Sequence, residues 1–309
     1  MPNIAARAYS VGDPRKLHGN RGWTVGKARE LRRLLESPAV TTVMGAPSGL
    51  AAILAQQSGF DAVWSSSFEV SAFRGLPDAS LLTMTDYLRA AVEADRACDL
   101  PVIADCDTGF GNALNVAHMI AEYEAAGIAA VCIEDKVFPK VNSFSERAQQ
   151  LEDMAEFAHR ISVAKAAQRN PDLLVIARTE ALIAGGEVDD ALRRARAYAD
   201  AGADAVLVHS KAKTPDQILE FLGRWPGTCP VVVVPTTYYT WTVEEMRQAG
   251  VAMTIYANQG MRATVSAVRR IMTLIHNAGS SATIEDEVAS VDEIFALQRL
   301  DEWLALSRR

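Results

Sequence analysis

The chain has 309 residues, 49% of them hydrophobic and 22% charged, with a formal net charge of −7. Such a length suits one α/β barrel able to bury its core without disulfides, and the composition excludes a disordered chain. The acidic balance argues against a nucleic-acid partner, which would leave a basic face, and no run approaches 18 uninterrupted apolar residues, so no membrane span is expected.

Residues 1–25 are polar, with Gly, Pro and Asn scattered through them, and read as an arm; 26–309 read as one barrel domain with a helical extension. A first helix is predicted over Lys27–Leu35, after which a regular alternation begins. Short runs rich in Val, Ile and Ala lie at Thr42–Ala46, Ala62–Ser65, Val102–Asp105, Ala130–Glu134, Leu174–Arg178, Ala205–His209, Val231–Pro235 and Thr254–Asn258. Continuous apolar strands mean burial on both faces, as in a parallel sheet. Helical periods separate them at Leu50–Gln57, Met84–Arg96, Ala113–Ala126, Leu151–Ala167, Asp190–Ala201, Pro215–Leu222, Val243–Ala249 and Met261–His276. Ser58-Gly59, Ala126-Gly127, Ala201-Gly202 and Ala249-Gly250 supply the glycine that stops a helix in the left-handed conformation. The alternation predicts a (β/α)8 barrel, with a doubly wound sheet as the alternative. Beyond it, Val291–Leu306 reads as one amphipathic helix that either covers an open end or packs on another subunit.

Barrel chemistry sits at the C-terminal ends of the strands. Those ends read Trp64-Ser65-Ser66-Ser67, Asp105-Cys106-Asp107, Glu134-Asp135-Lys136, Arg178-Thr179-Glu180, His209-Ser210-Lys211, Pro235-Thr236-Thr237 and Tyr256-Ala257-Asn258, with Asp78 in the loop after the second strand. Asp105, Asp107, Glu134 and Asp78 are oxygen ligands suited to Mg2+. Arg178 suits a carboxylate or phosphoryl group held through two parallel bonds, with His209 beside it. Asp107 taken alone serves equally as a helix cap. His118, His159 and His276 fall in helical periods and carry no expected role, and Tyr238-Tyr239 near Trp241 reads as packing. The four cysteines show no metal or disulfide spacing; Cys106 and Cys132 read as buried thiols, and the cytoplasm is the expected compartment.

The run Glu134-Asp135-Lys136, five residues, then Asn142-Ser143 resembles the phosphoenolpyruvate mutase branch of the isocitrate lyase superfamily, from about residue 26 to the end. Asp105-Cys-Asp107-Thr-Gly-Phe-Gly-Asn112, Ala177–Gly185, Val208–Lys211 and Val234–Thr236 are similar to the same family. The resemblance implies interconversion of phosphoenolpyruvate and phosphonopyruvate with Mg2+, in phosphonate biosynthesis. It implies a modified barrel with a helix exchanged between subunits of a dimer of dimers. By it, Asp105 binds the metal directly, while Asp78, Asp107 and Glu134 hold metal-bound water. Arg178 and His209 grip the phosphoryl group, Trp64, Ser66, Ser67 and Phe68 line the carboxylate end, and Lys140 and Asn142 close over the substrate. The Lys-Lys/Arg-Cys-Gly-His loop of the lyases is absent at Lys140–Phe144, which removes the thiol needed for C–C cleavage. Phosphonopyruvate hydrolases share most of these residues but carry threonine at the position of Asn142, which favours the mutase. Pro47-Ser48 and Ser65-Ser66-Ser67 depart from the family's pattern near the expected carboxylate mouth.

Overall fold

The computed structural model describes residues 23–307. In chain order its elements are α1 (Trp23–Leu35), β1 (Thr41–Gly45), α2 (Gly49–Gln57), β2 (Ala62–Ser65), α3 (Ser67–Phe73), α4 (Met84–Ala97), β3 (Val102–Asp105) and α5 (Ala113–Ala125). Then come β4 (Ala130–Glu134), α6 (Met154–Ala167), β5 (Leu174–Thr179), α7 (Val188–Asp200), β6 (Ala205–Val208), α8 (Asp216–Arg224), β7 (Val231–Val233), α9 (Val243–Gln248) and β8 (Met253–Tyr256). The chain finishes with α10 (Gln259–Ala278), α11 (Val291–Leu297) and α12 (Leu300–Leu306).

The eight strands close into one barrel in sequence order, with β8 pairing β1 in parallel. This is the predicted (β/α)8 barrel, and the doubly wound alternative is excluded. The strands are buried on both faces: Val43, Ile103, Leu174, Leu207 and Ile255 belong to one core cluster, Val131, Val175 and Ala177 to another that includes Ile120 and Phe157 of the outer helices. The predicted glycine stops hold, because Gly59, Gly127, Gly202 and Gly250 all take positive φ.

Three expectations need correction. Leu151 does not open a helix: it pairs with Lys136 in an isolated antiparallel bridge, and Asp153 caps α6 through its side chain. The run Val291–Leu306 is two short helices, parted where Arg299 takes φ 55, although its apolar stripe is continuous in sequence. The helix α3 was not anticipated; it starts two residues past β2, with Ser66 as its N-cap.

Two units are distinguished. Thr24–Arg270 holds the barrel, and the boundary with the second falls inside α10 at Ile271. Residues 1–22 of the expected arm lie outside the described residues. Met272 is 66% exposed and Phe295 43%, so the second unit displays large apolar side chains.

Candidate active site

The register of the barrel brings the expected groups to one end. Glu134 on β4 stands opposite Arg178 on β5, and Asp105 ends β3 beside Cys132 of β4. Residues paired across neighbouring strands point to the same face of the sheet. Asp107 follows in a turn with φ 50, a left-handed conformation that Asp tolerates better than most residues. The turn bends the chain so that Asp107 N–H donates to Asp105 Oδ1 at 3.3 Å. Asp107 is not a helix cap; Asn112 caps α5.

Around Asp105 and Asp107 lies an acidic cluster. Asp105 Oδ2 accepts from the hydroxyl of Ser67 at 2.9 Å and from its backbone N–H at 3.3 Å. The segment from Lys136 to Phe144 folds over this end. Lys140 Nζ is 2.7 Å from Asp78 Oδ1 and 3.1 Å from Asp107 Oδ1, and donates to Ser67 Oγ at 3.2 Å. Asn142 Nδ2 donates to Asp78 Oδ2 at 2.7 Å, while its backbone N–H bonds the Asp78 carbonyl at 3.0 Å. Burial pushes Asp107 up to about 6, with Lys140 opposing and the nearby carboxylates adding; Asp105 is raised for the same reasons. Burial acts on Asp78 the same way, but Lys140 and Asn142 outweigh it and hold its carboxyl below the usual range. Burial would depress Lys140; four carboxylates, led by Asp107 and Asp78, instead hold its ammonium well above its ordinary value.

A second cluster is built on Glu180, which is fully buried. It accepts from Arg178 Nε at 2.5 Å and from Ser143 Oγ at 2.5 Å, and it lies 3.1 Å from Lys136 Nζ and 2.8 Å from His209 Nδ1. Arg178 also pairs with Glu134 Oε2 at 3.2 Å. Burial resists charge on Glu180, yet Arg178, His209 and Lys136 hold it well below the ordinary range. Burial lowers His209, with Glu180 opposing and Arg178 reinforcing. His209 Nε2 is buried without a hydrogen-bond partner, so the ring nitrogen remote from Glu180 is left for a ligand.

Between the clusters is a cavity of about 50 Å3, lined by Trp64, Ser66, Phe68, Asp78, Asp105, Lys140, Asn142, Ser143, Phe144, Arg178, His209, Val234, Thr236, Ala257 and Asn258. At roughly 10–15 Å3 per water position, that space admits a small ligand only. Of the residues singled out in the sequence, Trp64, Ser66, Phe68, Asp78, Asp105, Lys140, Asn142, Arg178 and His209 line it; Ser67, Asp107 and Glu134 stand behind, bonded to or paired with those that do. Pro47 and Ser48 do not line it: Ser48 caps α2. Tyr238 packs against Trp241, as expected, but Tyr239 is exposed and does not pack. Sequence reasoning gave no role to Glu180, Lys136, Ser143, Phe144 or Asn258. For Glu180, one residue past β5, the available signal was its spacing of two from Arg178, which sets both on one side of extended backbone.

The donor set fits magnesium. Both oxygens of Glu134 and Oδ1 of Asp107 are buried with no hydrogen bond, each facing only a cationic side chain, Lys136, Arg178 or Lys140, and hard carboxylate oxygens are what Mg2+ takes. Among the described residues, no three acidic, His or Cys side chains form a cage by themselves.

A family model described as phosphoenolpyruvate phosphomutase matches residues 31–276. A crystal structure of phosphoenolpyruvate phosphomutase from Streptomyces platensis subsp. rosaceus superposes with a TM-score of 0.90 at 52% identity, covering 91% of this chain and 98% of that one. The phosphoenolpyruvate phosphomutase of Streptomyces hygroscopicus is 43% identical over 281 residues, 91% of this chain and 90% of that one. A phosphonopyruvate hydrolase solved with oxalate and Mg++ superposes with a TM-score of 0.87 at 43% identity, covering 92% and 98% of the two chains.

Proposed function

The chain belongs to the phosphoenolpyruvate phosphomutase family, and from that premise we propose that it interconverts phosphoenolpyruvate and phosphonopyruvate. The P–O bond to the enol oxygen breaks, its electron pair stays on the enolate, and C3 of the same molecule then attacks phosphorus. A loose, metaphosphate-like phosphoryl group needs positioning and charge stabilisation rather than a strong nucleophile. Arg178 would hold that group, as would His209 once its Nε2 carries a proton to donate, with Glu180 fixing both side chains from behind. Ser66, Phe68 and Trp64 would bound the carboxylate end.

The proposed cofactor is Mg2+, held by Asp105 with Asp78, Asp107 and Glu134 around it. When bound, it would offset negative charge on the substrate's oxygens. The oxalate and Mg++ complex of the related hydrolase supports this assignment.

The observation that carries the mutase reading is Asn142. Its amide is bonded to Asp78, its Oδ1 accepts the Phe144 N–H at 3.0 Å, and it lines the cavity from the folded-over segment. A roof held at both ends of one side chain keeps water from a phosphoryl group in transit. The second reading is phosphonopyruvate hydrolase, to which the chain is also similar. Phosphonopyruvate and Mg2+ followed by 31P NMR decide between them: phosphoenolpyruvate without stoichiometric phosphate is expected, and pyruvate with phosphate overturns the mutase reading.

A phosphonate-forming role, a cytoplasmic site of action and a homo-oligomer built as a dimer of dimers with an exchanged helix are assigned on the family's pattern. The division into an arm over 1–25 and a catalytic domain over 26–309 rests on the polar composition of the first stretch. Exposed Met272, Val291 and Leu304 support burial of the second unit by a further subunit. No described helix is long and apolar enough to cross a membrane.

A further inference from the structure

Glu69 has no part in the chemistry above, yet it is fully buried, and among the described residues it makes no ion pair. It stands at the third position of α3, where an acid ordinarily turns back to the N-cap backbone. Ser66 makes its half of that arrangement, its hydroxyl accepting the Glu69 N–H at 3.3 Å. The Glu69 carboxyl leaves the helix instead. Its Oε1 accepts the Met261 N–H at 3.4 Å, one of the donors left over in the first turn of α10. Its Oε2 is buried with no hydrogen bond.

Gly45, at the end of β1, makes room for this approach. A Cβ there would meet Glu69 Oε2 at 2.6 Å and the Ala257 carbonyl oxygen at 2.7 Å. The acid and the carbonyl therefore face the same narrow gap, which only a glycine leaves open. An isolated buried carboxylate is costly, so such a group takes a proton instead. Burial pushes Glu69 up to about 8 against the pull of the Met261 N–H.

We propose that Glu69 is held as a neutral carboxylic acid and serves as a positioning residue: Oε1 accepts from Met261 while Oε2–H donates to the Ala257 carbonyl. The bridge ties the α3 turn, with Ser66 and Phe68, to the β8–α10 connection, with Ala257 and Asn258. Both strips line the cavity, so the acid sets the distance between two of its walls. The kinetic part of this inference rests on the substrate proposed above; the protonation state does not.

Glu69→Gln preserves both bonds, because an amide accepts through oxygen and donates through nitrogen. Glu69→Leu preserves volume and removes both. With phosphonopyruvate, Glu69→Gln should keep kcat/KM within about threefold, whereas folded Glu69→Leu should raise KM about tenfold or more with a smaller change in kcat. A folded Glu69→Leu variant with wild-type KM, or a Glu69→Gln variant as impaired as Glu69→Leu, overturns the bridge. An infrared difference spectrum of wild type against Glu69→Gln at pH 7 should contain the C=O band of a protonated acid. Carboxylate bands in its place overturn the proposal whether or not Glu69→Leu folds. Because that spectrum needs no turnover, a wild-type protein inactive on phosphonopyruvate would count against the substrate alone.

Discussion

The two sides of the barrel mouth are built from the same residue types and differ in charge balance. On one side Asp78, Asp105 and Asp107 share the single ammonium of Lys140. On the other, Glu180 is met by Lys136 and Arg178 with His209 alongside, and Glu134, paired with the same two cations, stands between the two sides. A buried surplus of carboxylates calls for a further cation; burial pushes Asp107 up to about 6, and the neighbouring carboxylates add to that rise. A neutralised cluster that still presents a guanidinium and an imidazole suits an anion. The difference separates a metal side from a phosphoryl side within one small cavity, and the Lys136–Phe144 segment contributes to both.

The largest effect should come from Arg178→Met. It removes the guanidinium from Glu180 at 2.5 Å and Glu134 at 3.2 Å. Stranding buried carboxylates should cost about 3–5 kcal/mol in denaturant unfolding, and kcat should fall on the order of a thousandfold. Wild-type stability and rate in this variant would erase the phosphoryl side. Next is the metal side: millimolar Mg2+ without substrate should raise the Tm of the wild type, since a ligand of the folded state stabilises it. Asp105→Ala should abolish that rise, and an undiminished shift would move the ion elsewhere.

Asn142→Ala should alter product partition, raising the phosphate-yielding fraction about tenfold or removing activity. An unchanged partition by 31P NMR would mean that the roof does not exclude water. Asp86, outside the mouth in a capping box with Thr83, is the reference and the smallest effect. Hydrogen bonds from Thr83 and Arg74 lower it to about 2. Its folded pKa is depressed, so its stabilisation is complete above the ordinary carboxylate range and fades as pH falls through about 2. Asp86→Asn should lower Tm slightly at neutral pH, leave the Mg2+ response intact, and converge with wild type in acid.

Most barrel elements were legible because burial leaves a local trace. Ala62–Ser65, Val102–Asp105 and Ala130–Glu134 coincide with their predicted runs, and most other boundaries move by one or two residues. The helix α3 left no such trace: it spans seven residues, and Ser67, Glu69 and Ser71, polar by type, are buried. Leu151 fell in phase with a helix but was drawn into a bridge with Lys136. Residue by residue, Asp105, Glu134, Arg178 and His209 could be read as strand ends. That Glu180 would be the shared partner of Arg178, Lys136, His209 and Ser143 could not.

The sequence alone determined the eightfold alternation and the strand ends that carry charge, because burial on both faces and helix stops are written within a few neighbouring residues. Tertiary structure alone decided which charge meets which. Arg178 reaches His209 across 31 positions and Lys140 reaches Ser67 across 73, and only the pairing of β5 with β6 and the folding of the Lys136–Phe144 segment over the barrel end bring such groups within hydrogen-bonding distance and remove the water that would otherwise screen them.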